Sequence, residues 1–142
     1  MSFKNVAQIA GSAMTAQTVR LNTIASNLAN AGTVAGSAAE AYRARKPVFA
    51  AIYEREAFSD EPIAGARVQV LDVVQSTEPV REAYEPDNPL ANEAGVVFYS
   101  NVNPVAEMTD MMSAARAFET NVEVLNRVKS MQQALLRLGD NG

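Results

Sequence analysis

The sequence predicts an α+β fold: long N- and C-terminal helices forming a coiled-coil-like bundle, with a small β-rich middle domain. Three observations carry this. Apolar residues recur every three or four positions at both ends, from Val6 to Leu28 and from Met108 to Leu138. Between them the period changes to two, as in Val68 and Val70. Glycine and proline mark both changes of period, at Gly32 and at Pro104. The expected organisation is residues 1–31 and 103–142 as the two helices of one helical domain, and 32–102 as the β-rich domain.

In the first segment Val6, Ala10, Ala13, Ala16, Leu21, Ile24, Ala25 and Leu28 form the apolar seam, and Gly32 ends the helix. Such a helix is roughly 40 Å long at about 1.5 Å per residue. Gly11 interrupts it at a cost of up to about 1 kcal/mol relative to alanine. Residues 32–41 are small and weakly patterned, which predicts a loop. Extended segments are expected at Val48–Tyr53, Ala66–Val74, Val80–Tyr84 and Val96–Tyr99, gathered into one irregular antiparallel sheet. The apolar face of the second is Val68, Val70 and Val73. A turn with Pro62 is expected over Ser59–Gly65, its Asp60 and Glu61 at the surface, and a loop over Glu85–Gly95.

The last helix opens at Asn103-Pro104, a good N-cap followed by the residue favoured at the first helical position. Glu107 and Asp110 near its start, and Arg127, Lys129 and Arg137 toward its end, complement the helix dipole. Met108, Met111, Ala115, Phe118, Val122 and Leu125 keep a heptad-like seam. The seam then drifts through Val128, Met131, Leu135 and Leu138, a stammer-like shift, and Gly139 is the expected stop. Glu123 and Arg127 form an i,i+4 pair of favourable polarity.

Composition narrows the function. The chain has 142 residues, 48% of them hydrophobic, but many of these are alanine, so the core is thin. The net charge of −4 is uneven: residues 1–39 carry +2, residues 40–104 carry −5 and residues 105–142 carry −1. Without a basic stripe, nucleic-acid binding is not expected. There is no histidine and no cysteine, which excludes thiol nucleophiles, Ser-His pairs, disulfides and Cys/His zinc sites. Asp87, Asn88, Asn92 and Glu93 cluster in one loop without the spacing of a calcium loop, and a solvated turn explains them better. No cofactor, metal or small-molecule substrate is expected, and no enzymatic activity. No apolar run is long enough to span a membrane, and Asn5 and Gln8 interrupt any Sec-type signal core.

The weakly charged helices are the parts expected to be covered in the working state. Asparagines at their seams (Asn22, Asn27, Asn30 and Asn121) fit a role in fixing register and partner choice, as a polar residue at a coiled-coil seam does. With them, Leu21, Ile24, Leu28, Met108, Met111, Phe118, Val122, Leu125, Met131 and Leu135 are the expected assembly interface. Packing between the two helices of one chain is the plainer explanation for each.

Leu21-Asn-Thr-Ile-Ala-Ser-Asn-Leu-Ala-Asn30 resembles the N-terminal signature of bacterial flagellar rod and hook proteins. Glu107-Met108, Met111, Arg116-Ala-Phe118, Asn121 and Lys129-Ser-Met131 resemble their C-terminal signature. Tyr42-Arg43, Arg45-Lys-Pro-Val-Phe49, Asn88-Pro89 with Ala91, and Tyr99 with Asn101-Val-Asn-Pro104 are similar to the proximal members of the basal-body rod family. The chain departs from that pattern at Asn88, Leu90, Ser100 and Phe118, where the family has histidine, an acid, proline and tyrosine. The resemblance implies a structural subunit polymerising through its terminal helices into the drive-shaft tube, with copies of itself and other rod subunits as partners. It also implies export by the flagellar type III apparatus without a cleavable Sec signal, and a place in the rod across the periplasm. The alternatives are a small soluble coiled-coil adaptor or chaperone, or a sister rod or hook-type axial protein.

Overall fold

The fold, a computed structural model, is described for residues 2–54, 65–140 and 142. In chain order it comprises α1 (Phe3–Asn30), β1 (Val34–Ala35), β2 (Arg45–Glu54), β3 (Gly65–Gln75), β4 (Arg81–Tyr84), β5 (Val96–Tyr99) and α2 (Pro104–Asp140). Terminal helices thus flank a small β-rich middle region.

Local chemistry explains the helix ends. Asn103 Oδ1 accepts the N–H groups of Val105 and Ala106 at 3.1 and 3.2 Å, which makes it the N-cap of α2. At the end of α1 the Thr33 hydroxyl donates to the Asn30 carbonyl at 2.8 Å, satisfying one of the last free acceptors. Gly11 does not break α1, and Gly139 does not stop α2, which continues to Asp140.

The β region departs from the expected single sheet. β1, β5 and β4 form a three-stranded antiparallel sheet in that order, with Val34 opposite Tyr99 on one side and Arg81 opposite Tyr99 on the other. β2 and β3 form a separate two-stranded sheet. β2 begins earlier than expected, at Arg45, and holds Pro47; a strand with one partner has an edge where the missing N–H costs nothing. β1 lies in the segment expected to be loop, because two residues cannot display a period. Val68 and Val70 are half-buried as expected, but Val73 is exposed. The turn expected over residues 59–64, with Asp60, Glu61 and Pro62, lies outside the described residues; Gly65 already belongs to β3.

The chain divides into two compact units. One comprises Met1–Val19, Phe49–Leu71 and Ser113–Gly142. Its buried residues are small, Ala10, Ala16 and Ala114, with Val128. Ser12 links helix to strand within it: its hydroxyl donates to the Ile9 carbonyl at 2.9 Å and accepts the Val68 N–H at 3.0 Å, so a helical side chain satisfies a donor of β3.

The other unit comprises Arg20–Val48 and Asp72–Met112, and includes the whole three-stranded sheet. Its core is Ile24, Ala41, Ala44, Val97 and Val102. Ala25, assigned to the apolar seam by its spacing, is exposed. At about 100° per residue Asn27 lies in angle between Thr23 and Ile24, so the buried face is centred near Asn27 and Ala25 points roughly 160° away from it.

Candidate assembly surfaces

The best-defined polar site lies in the second unit, where the family-like motifs converge. Asn27, on α1, is 1% exposed. Its Nδ2 donates to the Arg45 carbonyl at 2.8 Å, and its Oδ1 accepts the Arg45 N–H at 2.9 Å. One side-chain amide therefore pairs with the backbone of the first residue of β2, taking both its N–H and its carbonyl as a neighbouring antiparallel strand would. Tyr42 donates its hydroxyl to the same Oδ1 at 3.0 Å, lies 3.1 Å from the Ser26 hydroxyl, and holds the Arg45 guanidinium 5.6 Å from its ring centroid. Ala44, between them in the chain, donates its N–H to Asn101 Oδ1, and its carbonyl accepts the Ser76 N–H, both at 2.7 Å. The Glu78 carbonyl receives Arg43 Nη1 at 2.8 Å and Asn101 Nδ2 at 2.9 Å. Residues 42–45 are thus fixed on both sides where the chain enters β2.

A bidentate ion pair ties the helices within this unit. Arg20 Nε donates to Asp110 Oδ2 at 3.2 Å and Arg20 Nη2 donates to Asp110 Oδ1. Both side chains are partly covered, which makes the pair worth more than an exposed one such as Glu123–Arg127. No spacing in the sequence signals two residues so far apart.

The β4–β5 hairpin carries a second polar chain. The Tyr99 hydroxyl donates to Glu85 Oε1 at 2.6 Å, Asn88 Nδ2 donates to Glu85 Oε2 at 2.9 Å, and Arg81 lies 4.7 Å from the Tyr99 ring centroid. The Tyr99 and Asn88 hydrogen bonds hold the Glu85 carboxyl below its usual range, and the same bond to Glu85 pushes the Tyr99 hydroxyl above its own. The signs are opposite. The Glu85 contribution is complete above the ordinary carboxylate range and is lost as pH falls through its lowered value. The Tyr99 contribution is complete below the ordinary phenol value and is lost as pH rises through its raised one. Glu85→Gln is therefore expected to lower the unfolding midpoint at neutral pH, with the difference from wild type shrinking in acid. A difference independent of pH would contradict it.

The residues expected to form the assembly interface occupy three environments. Ile24 and Asn27 are buried. Leu21, Leu28, Asn30, Met111, Phe118, Asn121, Val122 and Leu125 are half-buried. Asn30 and Asn121 turn their amides back on their own helices, donating to the Ser26 and Ala117 carbonyls at 2.8 and 2.7 Å. Asn22, Met108, Met131 and Leu135 are exposed. Around the exposed ones the surface is apolar beyond what spacing suggested. In the second unit Val105, Met108 and Met112 form an outward stripe on α2, while Glu107 is buried and Asp110 is held by Arg20. In the first unit Leu136 and Leu138 join Met131 and Leu135, and every residue from 129 to 140 is exposed. Among the described residues no group of acids could hold a metal ion, and no helix is long and apolar enough to cross a membrane.

Residues 8–36 match the model of the flagella basal body rod protein family, and residues 93–138 match that of the flagellar basal body rod FlgEFG protein C-terminal family. The flagellar basal-body rod protein FlgC of Escherichia coli O6:H1 is 47% identical over 139 residues, covering 98% of this chain and 99% of the relative. The chain belongs to the FlgC family of flagellar basal-body rod proteins. The FlgC protein of Salmonella typhimurium is 45% identical over 139 residues, with the same coverage. That of Bacillus subtilis is 34% identical over 143 residues, covering 92% of this chain and 94% of the relative. The two family models fall on α1 and on the last β strand with α2, so the likeness embraces both terminal helices, including α2 with its outward apolar stripes.

Proposed function

We propose that this chain is a structural, non-catalytic subunit of the flagellar basal-body rod that polymerises through its terminal helices. The carrying observation is the outward apolar surface of α2, with Val105, Met108 and Met112 near its start and Met131, Leu135, Leu136 and Leu138 near its end. Leaving such a surface in water forgoes about 25 cal/mol for each Å² that a neighbour could cover. Over residues 129–140 the helix buries nothing of its own, so covering by other subunits is what would stabilise it.

In this reading the helices of residues 1–31 and 103–142 form a coiled-coil-like bundle on assembly, and residues 32–102 form the β-rich domain beside it. The half-buried seam residues Leu21, Leu28, Phe118, Val122 and Leu125 serve both the fold and the joint between subunits. The polar residues Asn22, Asn30 and Asn121 set register. The partners are copies of this chain, other rod subunits and the flagellar type III export apparatus. The assembled site is the rod across the periplasm, reached without a cleavable Sec signal.

Deleting the gene and imaging purified basal bodies by electron microscopy tests the proposal. The expected result is membrane rings without a rod, and restoration by the wild-type gene. Intact rods in the deletion strain would overturn it and bring the soluble adaptor forward.

A further inference from the structure

Two charges sit where the fold of a single chain gives them nothing to pair with. Glu107 lies in the first turn of α2 and is only 9% exposed. Its carboxylate makes no hydrogen bond or ion pair among the described residues. The carboxylate oxygens still reach the surface through a narrow opening, since among the described residues no fully covered side-chain oxygen lacks a partner. Asp110, one turn further on, holds Arg20 in the bidentate pair. The start of a helix favours an acid, but an acid turned to water would gain as much there. An acid turned inward loses hydration, and a hydrogen-bonded cation is what restores it.

Lys4 is the reverse case. It lies in the first turn of α1, where no acid stands and the helix dipole disfavours a cation. Ser2 caps that turn, its Oγ accepting the Asn5 N–H at 3.2 Å, so the turn is formed and the lysine stands at its positive end. The side chain is exposed and has no partner among the described residues. Residues 1–39 hold two bases and no acid, and the other base, Arg20, is committed to Asp110.

We propose that the Lys4 ammonium of one copy pairs with the Glu107 carboxylate of the next. This rests on the rod-subunit reading and gives the joint between helices one specific polar contact. Lysine suits the narrow opening: its head is compact and its four-carbon stem flexible, whereas a guanidinium is broad and planar. The chain has three lysines. Lys129, toward the end of α2, sits where the dipole favours it, and Lys46 lies in strand β2. Only Lys4 stands against its own helix, so moving it onto an anion removes an unfavourable interaction as well as adding a favourable one. Lys4 and Glu107 belong to different compact units, and neither is satisfied within the chain, so a second copy supplies the missing charge to each. The two residues are different surfaces, which makes the joint heterologous, and copies joined by it continue in one direction.

Full-length chains carrying Lys4→Gln, Glu107→Gln or both are each made the sole source of the chain in the deletion strain. Each single variant should leave about a tenth or less of the wild-type amount in purified basal bodies, as loss of one charge-assisted bond per joint predicts. The double variant should fall no further than the singles, because either substitution already breaks the pair. The isolated variants should have urea midpoints no lower than wild type, since each substitution removes a charge that has no partner inside the chain. In wild-type basal bodies a carbodiimide, which joins a carboxylate to a lysine amine in contact with it, should link Glu107 to Lys4 in a product at twice the 15.2 kDa chain mass. A lower midpoint for Glu107→Gln means that the carboxylate already has a partner in its own chain, and overturns the proposal. So do wild-type amounts of either single variant in basal bodies, an additive double variant, or a link from Glu107 to any other lysine. Wild-type basal bodies lacking the chain would instead overturn the rod-subunit reading.

Discussion

Replacing Asn27 by alanine is expected to destabilise the folded chain by about 3 kcal/mol or more, read as a lower urea midpoint with an unchanged slope. The side chain is 1% exposed and makes three hydrogen bonds, two to the Arg45 peptide and one to Tyr42. Alanine would leave the part-buried Arg45 N–H and carbonyl and the Tyr42 hydroxyl without this partner, each at about 1 kcal/mol. Against a typical total of about 5–15 kcal/mol this is a large fraction. Asn27→Asp separates the components: it keeps the acceptor for Tyr42 and the Arg45 N–H, but loses the donor to the Arg45 carbonyl and buries a charge. It too should be strongly destabilised at neutral pH and should partly recover in acid, where the carboxyl can donate a proton of its own. An alanine variant within about 0.5 kcal/mol of wild type would mean that water replaces the amide, and would reduce Asn27 from an anchor of β2 to a bystander.

The double substitution Leu135→Lys/Leu138→Lys is expected to do the reverse: nothing to the isolated chain, everything to assembly. Both leucines are more than half exposed, at 54% and 72%. Lysine is nearly as good a helix former and sits favourably near a helix C-terminus, so the stability change should stay within about 0.5 kcal/mol. If neighbouring subunits cover this stripe, two ammonium groups would be desolvated there without partners. The variant should be exported and soluble, yet absent from basal bodies, and cells relying on it should be non-motile in soft agar. Motile cells with normal rods would remove the end of α2 from the interface. They would leave the stripe of Val105, Met108 and Met112 as the surface to probe next.

How far the sequence could be read depended on the distance over which each feature is specified. The Asn103 cap and Pro104 lie within one turn of the helix they start, and both were legible. The alternation of Val68 and Val70 located β3 and its half-buried face, but not Val73, which lies beyond that cover. The seam of α1 was legible at Ala10, Ala16 and Ile24, which are buried, but not at Ala25, which is exposed, nor at Thr23 and Asn27, which are buried polar residues. Among asparagines of similar setting, Asn27 spends its amide on a distant peptide, Asn30 on the previous turn and Asn22 is exposed. Hydropathy cannot separate those three fates.

By itself, then, the sequence determined two helical ends, a β-rich middle, the lack of histidine and thiol chemistry, and the motifs that resemble the rod family. These follow from local propensity, period and composition. Only the tertiary structure decided that the strands divide into two sheets, that Arg20 meets Asp110, and that Asn27 and Asn101 clamp residues 44 and 45. It also decided that α2 turns Met108 outward and Glu107 inward. The physical reason is that these pairings join groups far apart in the chain, whose match depends on how the intervening segments fold and not on any pattern within one segment.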